Sequence, residues 1–514
     1  MSTRSPPRSR RLLPVPLPSS SATPLLFEQG QPGRATPYVV SSASARSFLP
    51  REVLRDDLEL PDLSELEMVR HFTRLSQKNF GIDLGFYPLG SCTMKHNPKV
   101  NDAAAALPGF SDLHPYTPDH LAQGALQVMW ELERALSSLF GMAAFSLNPS
   151  AGAQAELTAL LISKAYFRQR GDSARTTVIV PDTAHGTNPA SAAMVGYKVV
   201  SLKSKENGRV DPEAMRQAVG PNTAVCMLTN PNTLGLFEDE IATIAKIVHE
   251  AGGLMYYDGA NANALMGITR PGDMGFDLMH INTHKTFTIP HGGGGAGHGP
   301  VGVAAHLVEF LPTPLVVRDG PEGRTTPAHA FRLDFERPLS VGPVRSFWSN
   351  FAHAVRALAY IYANGADGLR RVSQLAVLNA NYLRVKIAEF LSVPYDELCR
   401  HEFVASAQDL KHETGVRALD LAKGLLDEGY MAPTIYFPLI VPECLMIEPT
   451  ETETKETLDA FVETLRALVA RAQSDPQTLL DAPQRTPVGR IDETRAARQP
   501  DLRWMPPSSG ANER

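Results

Sequence analysis

The sequence predicts an α/β protein, with a large domain built on a mainly parallel sheet and a smaller α/β domain after it. Three observations carry this prediction. Between about residues 141 and 285, short apolar runs alternate with amphipathic helical stretches, the pattern of βαβ units. After about residue 345 the alternation gives way to longer helical stretches separated by two further apolar runs. Polar residues stand just past the carboxyl ends of the alternating runs, where ligands of such sheets bind.

Each element follows in chain order. The first 27 residues hold no acid, several arginines and serines, and six prolines. That composition resembles a transit peptide, but the prolines prevent the amphipathic helix such a peptide needs. Residues 1–27 are therefore expected to be a disordered extension. Residues 28–122 read as an arm and loop segment. It contains a helix over Leu63 to Leu75 and a long ordered loop, FGIDLGFYPLGSCTMKHNPKV. Residues 123–344 form the predicted large domain, entered by a helix from His120 to Phe140. Next come a helix opened by NPSAGAQAE, a strand TTVIV, a small-residue helix NPASAAMVG and a strand YKVVSL. DPEAMRQAV is a helix capped by Asp211, with Pro212 in its first turn. TAVCMLT, the helix EDEIATIAKIVHEAGG and the strand LMYYD complete the alternation. Residues 345–474 form the smaller domain. SNFAHAVRALAYIYANG and NANYLRVKIAEFL read as helices, HEFVASA and TIYFPL as strands, and LDLAKGLLDEG and ETKETLDAFVETLRALVARAQ as helices. Residues 475–514 are a Pro- and Arg-rich tail.

Composition narrows the function. The chain has 514 residues, 43% of them hydrophobic, enough for a large core. A net charge of −6 gives no basic balance that would point to nucleic acid or to an anionic membrane. No apolar run approaches the roughly 20 residues of a membrane span. The four cysteines, Cys92, Cys226, Cys399 and Cys444, are far apart and form neither a disulfide framework nor a zinc pattern. A reducing compartment, the cytoplasm, is expected.

The chemistry concentrates in Asp277 to Gly299, DLMHINTHKTFTIPHGGGGAGHG. Lys285 stands among Asn282, Thr283, His284 and Thr286, and a run of four glycines follows. Glycines let backbone approach a flat ligand closely, and a lysine beside such a bed suits Schiff-base chemistry. The bland alternative is a solvated lysine. Upstream, Ser150, Gly152 and the N–H of Ala153 open a helix, a ready phosphate site or an ordinary cap. His185, between a strand and a helix, suits stacking on an aromatic ring, or is a loop histidine. Asp258 ends a strand where a carboxylate needs a cationic partner such as a pyridinium N–H, or it is a turn-forming Asp before Gly. His280, His284, His291 and His298 lack metal-site spacing and acidic or thiol partners, so no metal is expected. Gly292, Gly294 and Gly297 match G-x-G-x-x-G, but no strand leads into them, which argues against a nucleotide loop. The order of phosphate turn, histidine, aspartate and lysine matches pyridoxal-phosphate enzymes of fold type I, the aspartate-aminotransferase-like fold.

Longer motifs carry a closer resemblance. FYPLGSCTMKHNPK, LPGFSDLHPYTP, NPSAGAQAEL, DTAHGTNPASA, TNPNTLGLFE, YYDGANANALMG, NTHKTFTIPHGGGGAG and PTIYFPLIVPECLMIEPTETETKETLD strongly resemble the P-proteins of the glycine cleavage system. The start LLFEQGQPGR and the length resemble subunit 2 of their two-subunit bacterial form. The resemblance covers about residues 25 to 505. It implies pyridoxal-phosphate-dependent decarboxylation of glycine, with transfer of the aminomethyl group to the lipoyl arm of an H-protein. It also implies a subunit 1 partner and a heterotetramer of two copies of each chain. By the same resemblance Lys285 is the cofactor lysine, His185 stacks on the ring and Asp258 holds its nitrogen. Ser150, Ala151, Gly152 and Ala153 form the phosphate turn, with Ala260 and His284 completing the cofactor contacts. Departures are small: Ala155, Thr288 and Ala296 stand where Gly, Cys or Ser, and Pro are common. The loop GSCTMKHNP and the run Gly292 to Gly297 are expected at the rim of a channel for the lipoyl arm. Two other readings stay open. One is a fold-type-I enzyme that acts alone, such as an amino-acid decarboxylase or a cysteine desulfurase. The other is a structural subunit without cofactor.

Overall fold

A computed structural model describes residues 23–30, 50–54, 60–292, 295–320 and 330–503. Gly293 and Gly294 of the glycine run, and most of the N-terminal extension, lie outside the described residues.

The large sheet has seven strands: β1 (Ala144–Ser146), β2 (Thr177–Pro181), β3 (Lys198–Leu202), β4 (Thr223–Leu228), β5 (Leu254–Gly259), β6 (Leu278–Ile281) and β7 (Val301–Val303). Their order is β1-β7-β6-β5-β4-β2-β3, and β7 alone runs against the others. Strands β2, β4 and β5 are buried along their whole length, as their unbroken apolar runs require. At the edge, β3 exposes Lys198 and Ser201, which suits a strand with one free side. Alternate residues of the central strands face two cores. Ile179, Cys226, Met255 and Met279 join one of them. Val178, Val225, Leu254 and Leu278 join the other.

The predicted strands and helices of the alternating region are all present. The sequence reading passed over β1, β6 and β7, which have only three or four residues each. Strands that short carry too little periodicity to be seen. A two-stranded ribbon, β8 (Leu315–Arg318) with β9 (Phe331–Asp334), was also unpredicted.

The smaller sheet joins β10 (Phe403–Ser406), β11 (Thr434–Ile435) and β12 (Cys444–Ile447), all antiparallel. The expected strand TIYFPL shrinks to the two residues of β11, and Tyr436 beyond it has φ 57°. The two predicted helices after residue 349 form one run, Phe351–Ile387, broken at Gly365 with φ 62° and ψ −177°. Ala354, Leu358 and Leu369 of this run pack in a core of the large sheet, while Ala380, Leu383 and Ile387 pack in the core of the smaller one.

The N-terminal loop crosses between the two sheets. Phe86 packs in the small core, edge-on to Phe461 with ring centres 5.0 Å apart. The Gly90 N–H donates to the Met446 carbonyl at 3.3 Å. A Cβ at Gly90 would lie 2.3 Å from Met446 Cγ, so the loop docks on β12 through a glycine.

Candidate active site

Asp258, His185 and Lys285 stand at the carboxyl ends of β5, β2 and β6, so the parallel register brings them to one edge. Lys285 lies in the single turn Thr283–Thr286, directly after β6. Its Nζ donates to the carbonyl of Ser91 at 2.7 Å.

Asp258 is fully buried. Its Oδ1 accepts from the Ala260 N–H and its Oδ2 from the Asn188 amide, both at 3.0 Å. In the β5–β6 pairing it stands opposite His280, whose Nε2 lies 3.6 Å from Oδ1. Burial pushes the carboxyl up, but His280, His185 and these two donors together hold it below the usual range. Burial pushes the His280 imidazole down to about 4, so it is neutral at neutral pH. The Tyr256 hydroxyl bonds its Nδ1. Burial raises that phenol well above its ordinary range, so it keeps its proton. Glu156 lies on the same side, takes the Thr187 hydroxyl at 3.0 Å, and is raised by burial and then by Asp258.

His185 is half-buried. Its ring stacks on Phe437, with centres 4.9 Å apart and planes at 24°, and its Nε2 lies 2.7 Å from Ser91 Oγ.

Ser150 to Ala153 form the turn into the 18-residue helix Gly152–Gln169, with Ala151 extended at φ −162°. First-turn N–H groups have no acceptor inside a helix. The packing around them is too tight for side chains. A Cβ at Gly152 would lie 2.5 Å from Asn282 Oδ1, and one at Gly299 would lie 2.4 Å from the Ala151 carbonyl. The Ser150 hydroxyl is engaged with Gln154 Oε1 at 2.7 Å. His284 flanks this turn, accepts the His298 N–H on Nδ1 at 3.2 Å, and is pushed down to about 3 by burial and then by Lys285. Gly297 and Gly299, just past the run of four glycines, thus pack on the phosphate turn. The histidines diverge: His298 Nε2 meets the Leu147 carbonyl at 3.2 Å, while His280 faces Asp258.

Sequence reasoning missed the centre of this arrangement, Ser91. It sits in the left-handed region at φ 64°. Its carbonyl meets Lys285, its hydroxyl meets His185, and its N–H donates to Glu402 Oε2 at 2.8 Å. Thr93 bonds Glu448, and buried Lys95 bonds Glu451, Asn263 and the Thr286 carbonyl. In this loop Ser91, Thr93 and Lys95 are buried while Cys92 and His96 are exposed. Its alternate residues therefore face into the site, not only onto a rim.

Comparisons with known proteins place the chain. A family model described as "Glycine dehydrogenase, C-terminal domain" matches residues 372–483, and one described as "Aminotransferase class-V" matches residues 125–296. The chain is 55% identical over 486 residues to a probable glycine dehydrogenase (decarboxylating) subunit 2 of Caldanaerobacter subterraneus, covering 93% of this chain and 98% of that one. A protein so named from Thermotoga maritima is 53% identical over 480 residues, covering 93% and 99%. A crystal structure of glycine decarboxylase (P-protein) of the glycine cleavage system, in inhibitor-bound form, superposes with a TM-score of 0.69 at 25% identity. That match covers 83% of this chain and 95% of that one. A cysteine desulfurase from Thermococcus onnurineus shares the fold alone, at 14% identity and a TM-score of 0.57 over 76% of this chain and 95% of that one. With its fold-type-I sheet and near full-length identity to these relatives, the chain belongs to the glycine dehydrogenase (decarboxylating) subunit 2 family.

Proposed function

We propose that the chain decarboxylates glycine with pyridoxal phosphate, releases CO2 and passes the aminomethyl group to the lipoyl arm of an H-protein. In this proposal it works beside a subunit 1, in a heterotetramer with two copies of each chain, in the cytoplasm. The observation that carries the reading is Lys285 at the end of β6, beside Asp258 at the end of β5, in a chain so close to its relatives. Among the described residues no helix is long and apolar enough to cross a membrane, and the four cysteines are free, which supports a reducing compartment.

The residues fit the cofactor. Backbone at Gly152 and Gly299 packs so closely that the phosphate turn presents N–H groups rather than side chains. Asp258 keeps a buried negative charge where a ring N–H would lie, and Ala260 anchors that carboxylate through its backbone. His280 Nε2 and Asn188 Oδ1 are buried without partners, so the polar floor has capacity left over. When bound, pyridoxal phosphate supplies an electron sink for the bonding pair released with CO2. Lys285 is the amine that would hold the cofactor aldehyde. Ser91 holds that amine at the sheet edge by its carbonyl and holds the His185 ring by its hydroxyl. His185, which burial keeps below its ordinary range, is neutral and suits stacking on the ring.

The reading is tested by borohydride treatment of the coloured protein followed by peptide mapping. The label is expected on Lys285, and a Lys285→Ala protein that still forms the reduced adduct would sink the assignment. Exchange of carbon between glycine and bicarbonate is expected with subunit 1 and lipoylated H-protein. Exchange of equal rate without H-protein would count against the lipoyl partner.

A further inference from the structure

Beside Ser91, two glutamates are buried together. Glu402 precedes β10 and Glu448 follows β12. The antiparallel register pairs Phe403 with Ile447, so one residue further out Glu402 stands opposite Glu448. They are 4% and 0% exposed, and a carboxylate oxygen of each lies within 4.8 Å of the other. Like charges set directly opposite across a sheet repel, and burial removes the water that would screen them.

Their partners are mainly neutral donors. Glu402 Oε2 accepts the Ser91 N–H at 2.8 Å. Glu448 accepts the Thr93 hydroxyl at 2.8 Å and the Asn261 amide at 2.9 Å. The other titratable groups facing the pair are His401, Lys285, Lys95, Cys399 and Cys444. His401 Nε2 lies 3.6 Å from Glu402, but burial keeps its imidazole neutral, and both its ring nitrogens lack partners. Lys95 is already paired with Glu451 at 2.9 Å, and Lys285 with the Ser91 carbonyl. Among the described residues neither carboxyl has a lysine or arginine in ion-pair contact.

We propose that Glu402 and Glu448 hold one proton between them and serve as a positioning pair that fixes the Ser91 loop against Lys285 and His185. The pair then carries a single negative charge. The ionised carboxyl is answered by the loop donors and by the more distant lysines, and the second carboxyl stays neutral. Burial raises both groups, Glu402 further by the charge of Glu448, in line with this arrangement. The positioning role rests on the reading of Lys285 as cofactor lysine. The shared proton does not.

The test uses infrared difference spectra of the full chain, reading the carbonyl stretch of a protonated carboxyl at neutral pH. Glu402→Gln and Glu448→Gln are each expected to lose one such carboxyl relative to the native chain, because the glutamate left alone ionises, and the double variant is expected to lose no more than either. Loss of two in the double variant overturns the shared proton. Loss in only one variant, or in neither, overturns the shared proton. Loss of that band on adding a divalent cation, with its return on chelation, overturns it in favour of a cation site. For positioning, Glu402→Ala, which leaves the Ser91 N–H without its acceptor, is expected to release cofactor about tenfold faster than Glu402→Gln. Equal release rates would overturn the positioning role. Borohydride labelling of the native chain away from Lys285 would instead defeat the functional reading and leave the infrared result standing.

Discussion

At the scale of single residues, the site depends on atoms that have no room to move. Gly152→Ala would drive a methyl to within 2.5 Å of the Asn282 amide. The expected outcome is a loss of about 1–3 kcal/mol in stability, the usual cost of overpacking, with weaker cofactor retention. Thermal melts with and without added pyridoxal phosphate separate the two effects. Asp258→Ala removes the acceptor of both the Ala260 N–H and the Asn188 amide in a fully buried place. Each stranded donor costs about 1–3 kcal/mol, so a drop in urea midpoint beyond that of Asp258→Asn is expected. His185, Asp258 and the turn at Gly152 were legible because each ends or follows a strand or opens a helix that the apolar pattern reveals, and Lys285 because polar residues flank it and a run of glycines follows it. Ser91, His280, Glu402 and Glu448 were not. Ser91 meets Lys285 across 194 positions and Glu402 across 311, and no local periodicity records such a meeting.

At the scale of elements, Gly365 kinks one long helical run that packs in the large-sheet core as far as Val372 and in the smaller core from Ala380 on. Its φ of 62° with ψ −177° belongs to a region that essentially only glycine occupies, and a Cβ there would meet nothing within 4 Å. Gly365→Ala is therefore expected to cost about 1–3 kcal/mol from backbone strain alone. A melting shift with the visible cofactor band unchanged would confirm it. An unshifted melt would show that the helix straightens without cost. Helices were easier to read than strands because several of them run ten residues or more, long enough to repeat their 3.6-residue period. The short strands β1, β6 and β7 never complete a recognisable alternation, although β6 delivers Lys285. The loop around Ser91 was legible as ordered but not as buried, since its glycines and prolines mark a turn without saying what covers it.

At the scale of the whole molecule, buried titratable groups set how stability depends on pH. Burial pushes Glu133 and Glu453 up to about 7. Glu156, Glu402 and Glu448 are raised as well, again by burial first. A carboxyl raised in the fold contributes fully below its ordinary 4.5 and loses that contribution as pH climbs toward its folded value. Burial holds His298 and His401 down to about 3 and His280 down to about 4. These imidazoles contribute fully above 6.5 and lose it as pH falls toward those values. The two slopes oppose each other between 4.5 and 6.5. The expected melting curve falls as pH rises past 6.5, where only the carboxyls still act, and falls again in acid. A midpoint that keeps rising through pH 8 would contradict it.

The docking of the Ser91 loop on β12 also bears on how the protein is made. A ribosome delivers the chain from one end, and domains fold as they emerge. Ser91 leaves early, Lys285 well after it, and Glu402, Glu448 and Glu451 near the end of synthesis. All seven strands of the large sheet are out once Val303 is, so the lysine stands at a completed sheet edge while the small-sheet partners of the loop are still untranslated. The nascent chain therefore has an interval in which the loop can reach Lys285 and His185 but has neither β12 nor Glu402 to hold it there, and a cofactor arriving then meets a more loosely covered lysine.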